Sequence, residues 1–377
     1  MGGMLMGRKK TRIAFILGGV LSALLLLFLI FRFWMPSVPI VWRELPDHPK
    51  AGVWYRISPP GALDSTGDSW HGLFRLGTEN RVLISFMGGG FSIDQNSAQQ
   101  DEDFYYHRSN HDDYVTMGIT NQDNRNPFRD WTMIVLPYST ADFHIGNGDY
   151  AYTDMNGQSA VLHHSGYLNY SLMMDIACSR IGKPDTVLIS GWSAGGFGAA
   201  MLTGSILDEY FPEVERSAVL VDSAALSGDW SKIASDVWQA PSEIVNTLQG
   251  TNMTLDSLQH LSAIHPETTI LFSCSCRDAI LSRYQNYLMG GEFAATEDSK
   301  RLFRSQLRET VDGVLALGNS CVFIWNDHPD NPWSMTGHIS VGKRFYAETF
   351  DGTTIAQWVS DAINGTITCH GLELLDP

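Results

Sequence analysis

A chain of 377 residues with 44% apolar content can bury one large core or two modest ones. It carries 25 basic and 41 acidic residues, a formal charge of −16, and residues 1–34 hold five of the basic residues and no acid. The remainder is therefore more acidic still, and an acidic body with no basic stripe excludes nucleic-acid binding and disfavours polyanionic substrates.

The first segment reads as a membrane signal. Arg8-Lys9-Lys10-Thr11-Arg12 precedes 19 uncharged, mostly apolar residues from Ile13 to Phe31. As a helix these would span about 28 Å, close to the hydrocarbon thickness of a bilayer. The positive-inside rule keeps residues 1–12 in the cytoplasm and sends the body across. The apolar core is longer than that of a signal peptide and no small-x-small site follows it before Pro36, so an uncleaved anchor over 13–34 is expected. Residues 35–49 read as a proline-containing linker, and 50–377 as one domain.

Along that domain, Ala51–Ile57 and Leu73–Leu76 read as edge strands, and Arg81–Phe86 as a buried strand running into Gly88-Gly89-Gly90. Residues 95–129 are polar and read as an insertion over the surface. Trp131–Leu136 is a strand and Tyr167–Cys178 a helix. Thr186–Ser190 is a β-branched apolar strand, followed by a helix to about Tyr210 and a strand at Ser217–Val221. Residues 223–265 are mixed and sit where a lid is often found. Thr268–Ser273 and Cys321–Trp325 are further strands, with helices at Ala279–Leu288, Ser299–Leu317 and Thr354–Ile363. Strands alternating with helices predict an α/β fold of three layers with a mostly parallel sheet.

The junction Gly191-Trp192-Ser193-Ala194-Gly195 has the G-x-S-x-G spacing of a nucleophile elbow. A strand turning sharply into a helix holds the central serine in a strained conformation with its hydroxyl exposed, and flanking glycines let neighbouring backbones approach. Ser193 is the expected nucleophile, with Trp192 beside it expected to touch substrate. A serine hydroxyl needs a histidine to take its proton and an acid to orient that histidine. In such a sheet they follow the serine in the order acid, then histidine. Asp278 and His338 fit that order, with Asp222 and His328 as rivals. The oxyanion would be held by backbone N–H groups of Ala194, Gly89 and Gly90. Asp142, His144 and Asn147, after the strand ending at Leu136, either shape the pocket floor or support the glycine turn. No metal-ligand spacing is present: Cys274-Ser-Cys276 lacks a second pair. A disulfide among Cys274, Cys276 and Cys321 is plausible from their strand-end positions, and three Asn-x-Ser/Thr sequons start at Asn169, Asn252 and Asn364.

At these residues the chain resembles the pectin acetylesterase and Notum family of carboxylesterases. The elbow Gly-Trp-Ser-Ala-Gly-Gly is similar to that family's Gly-x-Ser-Ala-Gly-Gly, and Phe86-Met-Gly-Gly-Gly-Phe91 to its oxyanion loop. Pro137 to Asn147 resembles its Pro-Tyr-Cys-x-Gly-Asp-x-His-x-Gly-Asn segment, with Ser139 where the family often has Cys. Asp278 with Tyr284 resembles its acid motif, and Gly337-His-Ile with Asp351–Trp358 the closing region of bacterial members. Asp327–Met335 looks like an insertion, which keeps His328 open as the base. The resemblance implies an esterase of the α/β-hydrolase kind acting through an acyl-enzyme, while the acyl group and its carrier do not carry over from it. The expected substrate is an acylated glycan or another ester, with no metal or organic cofactor. A deacylase of longer chains and a non-catalytic binding module of the same fold are the alternatives. Oligomeric state is not legible.

Overall fold

Strand β8 (Thr186–Trp192) is buried at all seven residues and β5 (Thr132–Leu136) at all five, a pattern that only a sheet covered on both faces produces. The computed structural model describes residues 42–331, 334–348 and 351–376. The basic segment 1–12, the apolar segment 13–34 and residues 35–41 of the linker lie outside the described residues. Among the described residues, no helix is long and apolar enough to cross a membrane. Arg43–Pro377 forms one compact unit.

Among the described residues the main sheet has nine strands, in the order β1 (Arg43–Glu44), β2 (Trp54–Ile57), β3 (Gly72–Arg75), β5, β4 (Arg81–Phe86), β8, β9 (Arg216–Asp222), β10 (Thr269–Ser275) and β11 (Ser320–Trp325). Only the β2–β3 and β3–β5 pairs are antiparallel. The strands from β5 to β11 run parallel, so their C-terminal ends share one edge, where loops can collect. Helices α1 (Gly166–Cys178), α2 (Ala194–Tyr210), α3 (Met253–Ile264), α4 (Ala279–Leu288), α5 (Glu297–Leu315) and α6 (Ile355–Ile363) complete the layers. Thr354 caps α6 through its side chain, and Ile355, Trp358 and Val359 face inward as its spacing predicts.

The structure departs from the sequence reading at several points of the fold. Neither expected edge strand lies at an edge: β2 sits between β1 and β3, and β3 between β2 and β5. Residues 148–164, unassigned in sequence, form a separate hairpin, β6 (Gly148–Thr153) with β7 (Ser159–His164). Segment 95–129 is not a surface insertion: Phe104, Tyr105, Val115, Ile119 and Phe128 are all buried. Its apolar anchors are scattered rather than periodic, which hides them from pattern reading. The disulfide is also absent, since all five cysteines are free. Cys321 pairs with Leu271 in the sheet register, three residues short of Cys274, which puts the two sulfurs about 10 Å apart along the strands.

Three glycines fix the packing of the elbow. A methyl at Gly191 would overlap the Gly195 carbonyl, and one at Gly195 would overlap the Phe86 carbonyl on β4. A methyl at Gly88 would lie 2.5 Å from the Trp192 carbonyl oxygen. Because these obstacles are backbone, they cannot swing away. Gly191→Ala and Gly195→Ala should each destabilise the fold by at least about 3 kcal/mol, whereas Gly182→Ala, with open space around it, should stay within about 0.5 kcal/mol. Denaturant unfolding midpoints test this, and equal midpoints for all three would contradict the packing described.

Candidate active site

Ser193 is the N-cap of α2 and holds φ 53°, ψ −127°, in the left-handed half of backbone space that a residue with a Cβ avoids. The strain is held from both sides. Gly191 pairs with Phe86 of β4 and Trp192 with Asp222 of β9, and the Ser193 N–H donates to the Asp222 carbonyl at 2.9 Å. The turn thus lifts the Ser193 side chain out of the sheet beside the first free N–H groups of α2.

Asp278 follows β10 and is fully buried. It caps α4: Oδ1 accepts from the N–H groups of Ile280 and Leu281, each at 2.9 Å. Its other oxygen, Oδ2, accepts from His338 Nδ1 at 2.7 Å. One carboxylate therefore starts a helix and orients an imidazole, which fixes the histidine tautomer with its proton on Nδ1. The His338 side chain is 15% exposed, and its Nε2 has no hydrogen-bond partner among the described residues. Burial works against a charged imidazole here. The charge and hydrogen bond of Asp278, with the charge of Asp222, outweigh it and raise the His338 pKa above its ordinary value.

Ser193, His338, Trp192 and Gly88-Gly89-Gly90 line one cavity of about 400 Å³. Gly90 has φ +83°, a conformation that favours glycine. Tyr138 Oη donates to its carbonyl at 2.9 Å, and the Tyr106 N–H donates to the Gly89 carbonyl at 2.8 Å. With their carbonyls pinned, the N–H groups of this loop donate to no other group among the described residues. Ala194 is buried at the start of α2, directly after the nucleophile position.

The rest of the cavity was not legible in the sequence. Glu102, Asp103, Phe104, Tyr106, Tyr114, Met117 and Ile119 supply one wall, all from the segment expected to lie on the surface. Ile280, Tyr284, Ile339 and Val341 supply the other. No residue of 223–265, the expected lid, lines it. That segment instead packs Trp230 and Trp238 under the glycine loop, with Trp238 Nε1 donating to the Ser92 carbonyl at 2.7 Å.

Asp142, His144 and Asn147 do not line the cavity either, which decides between the two readings of that turn. Asp142 accepts from Thr140, His144 N–H and Gly166 N–H, and His144 Nε2 donates to the Met87 carbonyl at 2.9 Å. Asn147 is tied by its N–H to the Trp238 carbonyl. Burial pushes the Asp142 carboxyl up to about 7 and the His144 imidazole down to about 4, so His144 is neutral and serves as a fixed donor under the glycine loop. The rival residues fall elsewhere. His328 is half exposed beside Asp327 and away from the cavity. The Asp222 carboxylate is bonded to Ser340 and Val341 rather than to an imidazole.

The Pectinacetylesterase family model matches residues 71–272, from the start of β3 into β10. No curated protein matches the chain. Among solved structures, the Wnt deacylase Notum from Drosophila is similar in two crystal forms. One has TM-score 0.56 and 14% identity, covering 82% of this chain and 93% of that one. The other has TM-score 0.54 and 13% identity, covering 84% and 94%. At such identities the likeness concerns the fold, an α/β-hydrolase fold with a mostly parallel central sheet. The matched span holds the glycine loop, the strained elbow and Asp222; beyond it lie His338, which lines Ser193's cavity, and Asp278, which bonds His338 from behind. On that span, more than half of its length, the chain belongs to the pectinacetylesterase family and is a carboxylic ester hydrolase.

Proposed function

We propose that this chain is a serine esterase that removes short acyl groups from hydroxylated carriers, glycans foremost, on the outer side of a membrane. The observation that carries the reading is a meeting in one cavity: a serine on a strained elbow, an imidazole 2.7 Å from a buried carboxylate, and a bare glycine loop. Ser193 Oγ attacks the acyl carbonyl while His338 Nε2 takes its proton. Asp278 stabilises the imidazolium that forms. The N–H groups of Ala194, Gly89 and Gly90 receive the oxyanion. Collapse of the tetrahedral adduct expels the alcohol, which takes the proton back from His338. A water molecule then repeats the sequence on the acyl-enzyme and frees the acid. The Ser193–His338 hydrogen bond is not made in the free protein, and such bonds commonly close only around substrate.

With the full chain in detergent and a short aryl ester, Ser193→Ala, His338→Asn and Asp278→Asn should each lower kcat by about 10⁴-fold. His328→Ala should leave it unchanged. The base must be neutral to work, so kcat/KM rises as pH passes the His338 pKa. Because that pKa is raised, the acid limb should lie above the ordinary imidazole range. Full activity in Ser193→Ala would remove the assignment.

Substrate class rests on the two-sided cavity. Glu102, Asp103, Tyr106 and Tyr114 offer acceptors and aromatic faces that suit a sugar, and about 400 Å³ holds a ring with a short acyl group. Met117, Ile119, Ile280 and Val341 favour the second reading, a longer acyl chain. Along a series from acetyl to octanoyl esters of one alcohol, kcat/KM should peak at the short end. A peak at octanoyl establishes the second reading.

The location rests on the sequence of residues 8–31. The full chain should remain with membranes after an alkaline carbonate wash and be lost from them when residues 1–34 are deleted. Recovery of the full chain in the soluble fraction would overturn the anchor.

A further inference from the structure

We propose that Asp222 is the positioning residue that sets the separation of nucleophile and base, because its main chain holds Ser193 and its side chain holds the loop that carries His338. The proposal rests on the catalytic reading above for the roles of those two residues. Asp222 ends β9 and is fully buried. Its carbonyl accepts the Ser193 N–H at 2.9 Å. Its carboxylate faces the other way, toward the residues directly after His338. Oδ2 accepts from the N–H groups of Ser340 at 2.7 Å and Val341 at 3.1 Å. Oδ1 accepts from the hydroxyls of Ser340 at 2.9 Å and Ser223 at 3.3 Å.

Four donors converge on one carboxylate, and that number explains why a charge is used. Each oxygen takes two donors. An amide has one accepting oxygen, so it could keep the two main-chain donors only if both hydroxyls turned to accept from its NH2. The clamp also spans two residues with strained backbones. Ile339, next to the base, has φ 60°, and Ser223, next to Asp222, has φ 54°. A β-branched residue in that region is a clear outlier. The two strained residues are bonded to each other: the Ile339 N–H donates to Ser223 Oγ at 3.1 Å. Ser273 Oγ lies 3.0 Å from Ser340 Oγ, and the Ser223 N–H donates to the Ser273 carbonyl at 2.7 Å, which closes the seam onto β10.

The clamp has an electrostatic consequence besides its geometry. His338 is faced by Asp278 from α4 and Asp222 from β9. Lys343 and Arg344 follow on its own loop, and Glu102 and Asp103 line the cavity from the far wall. Cys274 on β10 lies near both buried carboxylates, but its thiol is kept neutral by burial and by their charges. Asp222 is thus a second anion that favours the imidazolium formed when Ser193 gives up its proton.

The test is Asp222→Asn in the full chain, read by kcat, KM, the pH profile and the NMR titration of the labelled His338 imidazole. Folded Asp222→Asn protein should lose about 100-fold in kcat, as expected for a small misplacement of base from nucleophile, while KM stays within about twofold. The acid limb of kcat/KM and the imidazole titration should both move to lower pH, because the anion that favours the imidazolium is gone. A purely structural role would lower the amount of folded enzyme without moving either. Wild-type kcat with an unmoved titration overturns the proposal. If Asp222→Asn does not fold, the double variant Ser223→Ala/Ser340→Ala removes two of the donors and keeps the charge. It should lower kcat about tenfold with the acid limb in place, and wild-type kcat there overturns the proposal. Should the wild-type protein hydrolyse no ester, the catalytic reading fails. The NMR titration of Asp222→Asn still decides whether Asp222 governs His338.

Discussion

Two backbones pass closer at the elbow than any side chain permits, and the site depends on that approach. Gly195 lies against the Phe86 carbonyl of β4, Gly191 against the Gly195 carbonyl, and Gly88 against Trp192. These three bare positions bring the nucleophile, the start of α2 and the glycine loop to one place. A strained serine is the consequence. It persists because β4 and β9 pair with β8 right up to the turn, leaving the chain no room to relax. The parallel register then determines which loops can reach it. β4, β8, β9, β10 and β11 all end on the same edge and deliver Gly88–Gly90, Ser193, Asp222, Asp278 and the His338 loop in turn.

Two buried carboxylates beside one imidazole would be costly without donors, and each has them from backbone as well as side chains. Asp278 draws two from the first turn of α4 and a third from the imidazole. Asp222 draws its main-chain donors from the base loop itself. Each carboxylate therefore has a folding role independent of any reaction. A helix cap of this kind contributes about 1 kcal/mol, so the orientation of His338 is tied to the stability of α4.

The parts legible in the sequence were those where local chemistry forces local geometry. The elbow, the triple glycine and the strand ends before Asp278 and His338 each combine a buried strand with a residue type that suits an abrupt turn. Helix Ala279–Leu288 fell on its expected bounds because a carboxylate cap and an amphipathic run coincide there. The choice between His328 and His338 was not legible. Both follow β11, and it is the register of the loop, bridged through Thr336 to the residues either side of Asp278 and held after His338 by Asp222, that brings the second onto Asp278. The role of 223–265 was misread because Trp230 and Trp238 contribute by long-range aromatic packing, which leaves no period in the sequence.

The cavity wall from Glu102 to Ile119 shows why its residues belong to the site and not to a loose cover. It is fastened at both ends to the catalytic loops. At one end the Tyr106 N–H bonds the Gly89 carbonyl, and the Phe104 carbonyl accepts from Tyr284 on α4, the helix that Asp278 caps. At the other the Ile119 N–H bonds the Val341 carbonyl at 2.9 Å, and Gly118 lies so close to the same carbonyl that a side chain would collide with it. Val341 is also held by Asp222. A displacement of this wall therefore pulls on the glycine loop at one end and on the loop bearing His338 at the other. The pocket and the reacting groups form one mechanical unit, built on contacts between backbones.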